Sequence, residues 1–256
     1  MFTPILEAQN LTRTFGEFVA VDDASFNLAP GEIVGFLGPN GAGKTTTIKM
    51  LTGLLAPSSG TARVAGFDMT TSPMEAKARI GYVPDTPNLY GKLKAQEYLR
   101  FVGQLYKVPA EKVEERIRPM LDIFDLTDVA GNYLDTFSHG MQQKVAIIGA
   151  FLHEPQIVFM DEPTVGLDPR SARLIKDLMI RHRDGGGTIF FSTHILEIAQ
   201  TMCDRVIIIN KGSIVADARV EELRRMRGDQ SLEDIFLELT GGRDVDDMVK
   251  ELEDGE

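Results

Sequence analysis

An α/β fold built on a parallel sheet is predicted for this chain, with an antiparallel β portion near the N-terminus and a helical block inserted part-way along. Three observations predict it. Short apolar runs alternate with helix-like stretches over residues 157–215. A strand-like run, Ile33 to Leu37, feeds a glycine-rich loop and then a helical pattern. From about Lys94 to His153 apolar residues recur only at helical spacing. Strand–helix alternation implies a parallel sheet covered by helices, and a purely helical stretch inside it is an insertion.

The elements follow in order. Two short alternating runs, Ala24 to Leu28 and Ile33 to Leu37, flank Ala29-Pro30-Gly31-Glu32 and predict a pair of antiparallel strands. After the glycine-rich loop, Ile48, Leu51 and Leu55 share one face of a predicted helix. Pro57-Ser58-Ser59-Gly60 turns the chain into a strand at Thr61 to Ala65. The helical block, about 94–155, carries Tyr98, Phe101, Val102 and Leu105 on one stripe. Beyond it come a strand at Ile157 to Met160, a helix opened by Asp168-Pro169, and a strand at Thr188 to Phe191. A short helix around Ile195 to Met202 leads to Val206 to Ile209, and Asn210-Lys211-Gly212 turns into Ser213 to Val215. No repeat or low-complexity linker divides the chain, so one core with an insertion is expected over 1–242, with an acidic tail at 243–256.

Composition narrows the possibilities. With 256 residues, 43% hydrophobic and 25% charged, there is material for one large α/β core. No apolar run approaches the roughly 18 residues of a membrane span, and Met1 to Asn10 lacks the basic and apolar blocks of a secretory signal. The expectation is a cytoplasmic protein that reaches a membrane only through a partner. A net charge of −11, from 27 basic and 38 acidic residues, disfavours nucleic acid and anionic lipid. Cys203 is the single cysteine, so no internal disulfide forms.

The chemistry begins at Gly38-Pro39-Asn40-Gly41-Ala42-Gly43-Lys44-Thr45. Glycines let successive N–H groups turn inward around phosphate oxygens, and the following helix presents its positive dipole end to the same anion. Lys44 adds a point charge for the β- and γ-phosphates, and Thr45 a hydroxyl for Mg²⁺. The apolar run Ile157 to Met160 ends in Asp161-Glu162. Two acids at a sheet mouth need a cationic partner, which Mg²⁺ and phosphate chemistry supplies: Asp161 as metal ligand, Glu162 to polarise the attacking water. His194, after the strand Thr188 to Ser192, is placed to hold water and Glu162 in register. Phe15 offers an aromatic face for adenine.

A second anion-seeking feature lies at Phe137-Ser138-His139-Gly140-Met141. Ser138 is a good N-cap for a helix running to Leu152, and Gly140 leaves backbone N–H groups open in its first turn. One chain thus carries two phosphate-seeking surfaces and one complete cradle. Head-to-tail pairing resolves the mismatch, each Ser138 helix facing the nucleotide of the other subunit.

With these motifs in order, the chain resembles an ABC ATPase nucleotide-binding domain from about Leu6 to Gly242, and is similar to bacterial exporter ATPases of the multidrug/ABC-2 and Ecs-like groups. The resemblance implies a P-loop NTPase (RecA-like) core. It implies an adenine contact at Phe15, a phosphate loop from Gly38 to Thr46, a glutamine-loop position at Asp85, the signature at Ser138 to Met141, Gly166-Leu167-Asp168, and His194. The closing Ser231-Leu232-Glu233-Asp234-Ile235-Phe236 is in the same style. ATP and Mg²⁺ are the implied ligands. The implied partners are a second nucleotide-binding subunit, identical or not, and a separate transmembrane permease docking near residues 85–100 on the inner face of the membrane. The sequence departs from the family at Asp85, where glutamine is usual, and at His139 and Met141. Asp85 can still meet Mg²⁺ but adds negative charge beside Asp161 and Glu162, and His139 sets a titratable ring near the partner's γ-phosphate. A soluble ABC-type scaffold and a regulatory half of a heterodimer stand as alternatives to an exporter motor.

Overall fold

The computed structural model describes residues 3–226 and 232–241. Ser231 of the closing segment, Gly242 and the acidic stretch 243–256 lie outside the described residues. In chain order the strands and helices are β1 (Leu6–Phe15), β2 (Phe18–Leu28), β3 (Ile33–Leu37), α1 (Lys44–Leu51), β4 (Ser59–Val64), β5 (Phe67–Asp68), α2 (Pro73–Lys77) and β6 (Ile80–Val83). The helical block holds α3 (Ala95–Leu105), α4 (Ala110–Ile123) and α5 (His139–Phe151). Then come β7 (Ile157–Asp161), α6 (Pro169–Asp184), β8 (Thr188–Thr193), α7 (Leu196–Met202), β9 (Arg205–Asn210), β10 (Ser213–Arg219), α8 (Val220–Met226) and α9 (Leu232–Thr240).

Two sheets form. One is antiparallel with order β2-β1-β4-β5; the other runs β10-β9-β3-β8-β7-β6. In the larger sheet β9, β3, β8, β7 and β6 are mutually parallel, and β10 closes one edge antiparallel to β9. This is the expected class: a P-loop-type parallel core, an antiparallel β portion from the N-terminal region, and inserted helices.

The parallel strands are apolar throughout because both faces are covered, as parallel sheets require. Along β7, Val158 and Met160 enter the core shared with the helices, while Ile157 and Phe159 enter the core shared with the antiparallel sheet. Phe190 on β8 joins the two sheets, stacking on Phe26 at 5.8 Å and meeting Phe36 and Phe159 at 5.1 and 5.7 Å. Truncating that ring to alanine is worth about 3–5 kcal/mol, on the scale of other buried phenylalanines.

Two expectations are corrected. Ala24–Leu28 and Ile33–Leu37 are both extended but do not pair: β2 pairs with β1, and β3 lies between β8 and β9. All five residues of β3 are buried, Ile33 and Leu37 toward one core and Val34 and Phe36 toward the other, which fits the middle of a two-faced sheet and not a hairpin arm. Ala29–Glu32 is a strap between sheets. The Glu32 carboxylate accepts the Ala29 N–H at 2.7 Å, and the Gly31 N–H donates to Thr188 Oγ1 at 3.0 Å. Secondly, α1 ends at Leu51, before Leu55: the Thr52 hydroxyl donates to the Ile48 carbonyl at 2.8 Å, and Gly53 follows at φ +66°. Leu55 still packs on the core from the succeeding turn.

Candidate active site

The mouth of the site is built by three adjacent parallel strands. Register pairs Phe36 with Ser192 and Asp161 with Ser192, so the ends of β3, β7 and β8 lie level. The loop after β3, the acids ending β7 and His194 after β8 therefore converge at the carboxyl edge of the sheet, where ligands bind in open α/β folds. A cavity of about 340 Å³ lies there, lined by Asn40, Gly41, Gly43, Lys44, Thr45, Thr46, Asp85, Asp161 and Glu162, with Phe18 and Ala20 from the antiparallel sheet.

The loop needs its glycines. Gly43 has φ +109°, and a Cβ there would fall 2.6 Å from the Ala20 carbonyl; at Gly38 it would fall 2.5 Å from the Ile209 carbonyl. Gly38, Pro39 and Ala42 do not line the cavity but hold its shape. The Ala42 N–H donates to the Pro39 carbonyl at 3.2 Å, and Lys44 Nζ donates to the Gly38 and Pro39 carbonyls at 2.7 and 3.2 Å. Lys44 is buried, its Nζ 3.9 Å from Glu162 Oε1. Burial lowers the pKa of its ammonium, and the charges of Glu162 and Asp161 pull it back up.

Asp161 is fully buried. Its Oδ1 accepts the Ser192 hydroxyl at 2.5 Å, while Oδ2 is buried with no hydrogen-bond partner. An orphaned carboxylate oxygen facing a phosphate loop is a hard donor suited to a divalent cation. Thr45 lines the same cavity from the first turn of α1. Among the described residues no group of three or more His, Cys, Asp or Glu side chains gathers as a protein-only cage. The donor set present, a carboxylate and a hydroxyl beside a phosphate seat, matches Mg²⁺, which takes few protein ligands and completes its shell with phosphate and water. Asp85 also lines the cavity; it is exposed, and its Oδ1 accepts the Thr86 N–H at 2.7 Å.

Glu162 has φ +48°, an uncommon left-handed backbone for a residue with a Cβ. Its N–H donates to Ser192 Oγ at 3.0 Å, and its Oε2 lies 3.0 Å from His194 Nδ1. The sequence-predicted trio Lys44, Glu162 and His194 is thus brought together in one chain of contacts. Ser192 was not among the sequence candidates; no local motif marks it.

Phe15 is not among the residues lining the cavity. It is exposed at the β1–β2 turn, cross-strand from Phe18, with the Arg13 guanidinium 4.6 Å from its ring centroid. Phe18, not Phe15, lines the cavity. Ser138 and Gly140 also stand outside it. Ser138 caps α5, its Oγ accepting the Met141 N–H at 3.3 Å, and is solvent-exposed together with His139. The His139 ring rests against the Gly166 turn: a Cβ on Gly166 would lie 3.5 Å from His139 Cδ2.

The family model described as ABC transporter matches residues 21–165. The probable multidrug ABC transporter ATP-binding protein YbhF of Escherichia coli (strain K12) is 36% identical over 240 residues, 92% of this chain; the chain spans 41% of that relative's length. The ABC-type transporter ATP-binding protein EcsA of Bacillus subtilis (strain 168) is 37% identical over 238 residues, 92% of this chain and 96% of EcsA. A solved ATP-binding subunit of an ABC transporter superposes with TM-score 0.88 at 34% identity, covering 92% of this chain and 99% of that one. A dimeric ATP-binding cassette in a post-hydrolysis state, bound to ADP and Pi, superposes with TM-score 0.76 at 25% identity over 84% of this chain and 98% of its own.

Proposed function

The chain belongs to the ABC transporter ATP-binding family, and from that premise we propose that it is the ATP-hydrolysing motor subunit of a membrane exporter, working as a dimer. Its nucleotide-binding domain is taken as 1–242, with the helical block at about 94–155. The observation that carries the reading is the position of Ser138: an exposed helix start outside the chain's own nucleotide cavity, free to face the γ-phosphate held by a second subunit.

Residues 38–46 seat the triphosphate, with N–H groups and Lys44 meeting the β- and γ-oxygens. Asp161 and Thr45, with Asp85 at the rim, would hold Mg²⁺, which would supply positive charge to the bound triphosphate. Glu162 accepts the proton of the attacking water; the water oxygen bonds to the γ-phosphorus as the bridging oxygen leaves with ADP. His194 fixes Glu162 Oε2 so that Oε1 stays on the water side. Phe15, cross-strand from the cavity-lining Phe18, offers its exposed ring to the adenine. Ser138 and Gly140 of one subunit close the site of the other.

Among the described residues no helix is long and apolar enough to cross a membrane. In this reading a separate permease supplies the transmembrane part. Its docking surface lies beside the 85–100 segment, where Tyr90 and Phe101 are exposed and their rings meet edge-on at 5.7 Å. On the same reading the subunit works at the cytoplasmic face, touching the membrane through the permease. No observation favours a soluble scaffold or a silent half.

The test is Glu162→Gln with saturating ATP and Mg²⁺. Hydrolysis falls by about 10²–10⁴, the usual contribution of a positioned base, and light scattering reports an ATP-dependent dimer. A variant that stays monomeric overturns the dimer reading, and detergent extracts in which tagged chain brings down no polytopic membrane protein overturn the exporter reading.

A further inference from the structure

We infer that Ser192 is a positioning residue that sets both acids of the site at once: it selects which Asp161 oxygen is left for the cation and holds the backbone bend that aims Glu162. The inference rests on the reading of this cavity as an ATP and Mg²⁺ site and adds a residue that no motif marks.

Ser192 is fully buried on β8, level with Asp161 across the β7–β8 ladder. Its hydroxyl has one proton to give and lone pairs to receive. The proton goes to Asp161 Oδ1 at 2.5 Å, and the Glu162 N–H comes in at 3.0 Å. The two bonds belong to consecutive residues with opposite needs. Asp161 needs one oxygen tied down, so that the buried, partnerless Oδ2 is the single open donor. Glu162 needs its left-handed φ of +48° sustained, since an ordinary backbone would swing the side chain away from Lys44 and His194. An alanine at 192, a fully buried position, leaves Asp161 with two orphaned oxygens and the Glu162 N–H without its partner, so both acids lose their setting together.

Outer-sphere partners of metal-ligating carboxylates orient them and commonly carry 10–100-fold in metal affinity or activity. The expectation for Ser192→Ala is a rise of about tenfold or more in the Mg²⁺ concentration giving half-maximal hydrolysis, and a fall of similar size in kcat. Binding of a fluorescent ATP analogue in EDTA stays at the wild-type value, because the phosphate loop is untouched. Ser192→Thr, which keeps the hydroxyl, restores both quantities. Ser192→Cys, with similar volume and a weaker donor, falls between and stands in if the alanine variant does not fold. Nucleotide binding to a catalytically inert Glu162→Gln background, titrated with Mg²⁺, gives the same affinity shift independently of turnover. Should Ser192→Ala and Ser192→Cys lose thermal stability while the Mg²⁺ dependence and kcat remain at wild-type values, the inference is overturned. Wild-type chain that neither binds nor hydrolyses ATP overturns the underlying assignment instead.

Discussion

Two helix starts in this molecule use the same device and differ in how they are finished. Both α1 and α5 present unpaired backbone N–H groups at an N-terminus, the part of a helix that favours an anion. The start of α1 is closed from within: Gly43 bends it at φ +109° without a side-chain cap, Lys44 is buried beneath it, and Glu162 stands 3.9 Å from the Lys44 ammonium. The start of α5 is open. Ser138 caps it from an exposed position, no acid lies in its first turn, and it lines no part of the nucleotide cavity. A charge-bearing, enclosed start makes a seat that one chain can fill by itself. A neutral, solvent-facing one makes half a seat.

The contrast can be broken most severely at the closed end. Lys44→Ala is expected to cut hydrolysis by about 10²–10³, the scale of losing one preorganised charge donor, with loss of nucleotide binding seen by fluorescence titration. Retention of near-normal turnover would mean the seat does not depend on its buried cation. At the open end the effect is smaller and of a different kind. Ser138→Ala removes a cap worth about 1 kcal/mol, and is expected to weaken the ATP-dependent dimer roughly tenfold while the monomer binds nucleotide as before. Sedimentation of the Glu162→Gln chain with and without the serine change reads this directly; equal dimerisation would leave Ser138 as a plain helix cap.

The smallest expected effect sharpens how α5 is anchored at its far end. His153, just beyond α5, stacks on Tyr106 at 3.6 Å and bonds the Ile80 carbonyl at 3.0 Å, so it ties the helical block to β6. Burial, partly opposed by the Ile80 bond and reinforced by Arg116, pushes its pKa down to about 4 from the ordinary 6.5. Between those values the unfolded chain binds the extra proton. The stability that neutral His153 contributes is therefore present above pH 6.5 and lost as pH falls toward 4. Urea unfolding of the wild type compared with His153→Gln should show a difference that shrinks across that window; a constant difference would deny the linkage.

What could be read from sequence follows from how local each feature is. The phosphate loop, Asp161-Glu162 and the Ser138 cap are contiguous runs whose residue types state their own chemistry. Ser192 is invisible in that way, because its partners lie 31 and 30 residues distant and only strand register brings them near. The strap at Ala29–Glu32 misled for the converse reason: Pro-Gly signals a reversal but not which sheet receives the next strand. β1 escaped because its alternation is interrupted, with a register shift between Ala8 and Leu11. Asn10 and Asp23 adopt φ +49° and +50° there and bond side chain to side chain at 2.6 Å. Phe15 and Phe18 could not be ranked from sequence, since they flank one turn as a directly opposed cross-strand pair.

β8 alone separates β3 from β7, so the loop that takes phosphate and the acid that takes metal stand two interstrand spacings apart, roughly 10 Å by the geometry of hydrogen-bonded sheets. That width is gauged by peptide groups, which are the same whatever side chains they carry. Drift in the packed interior can therefore loosen or tighten this protein as a whole without altering the calibre of the slot in which its fuel is split.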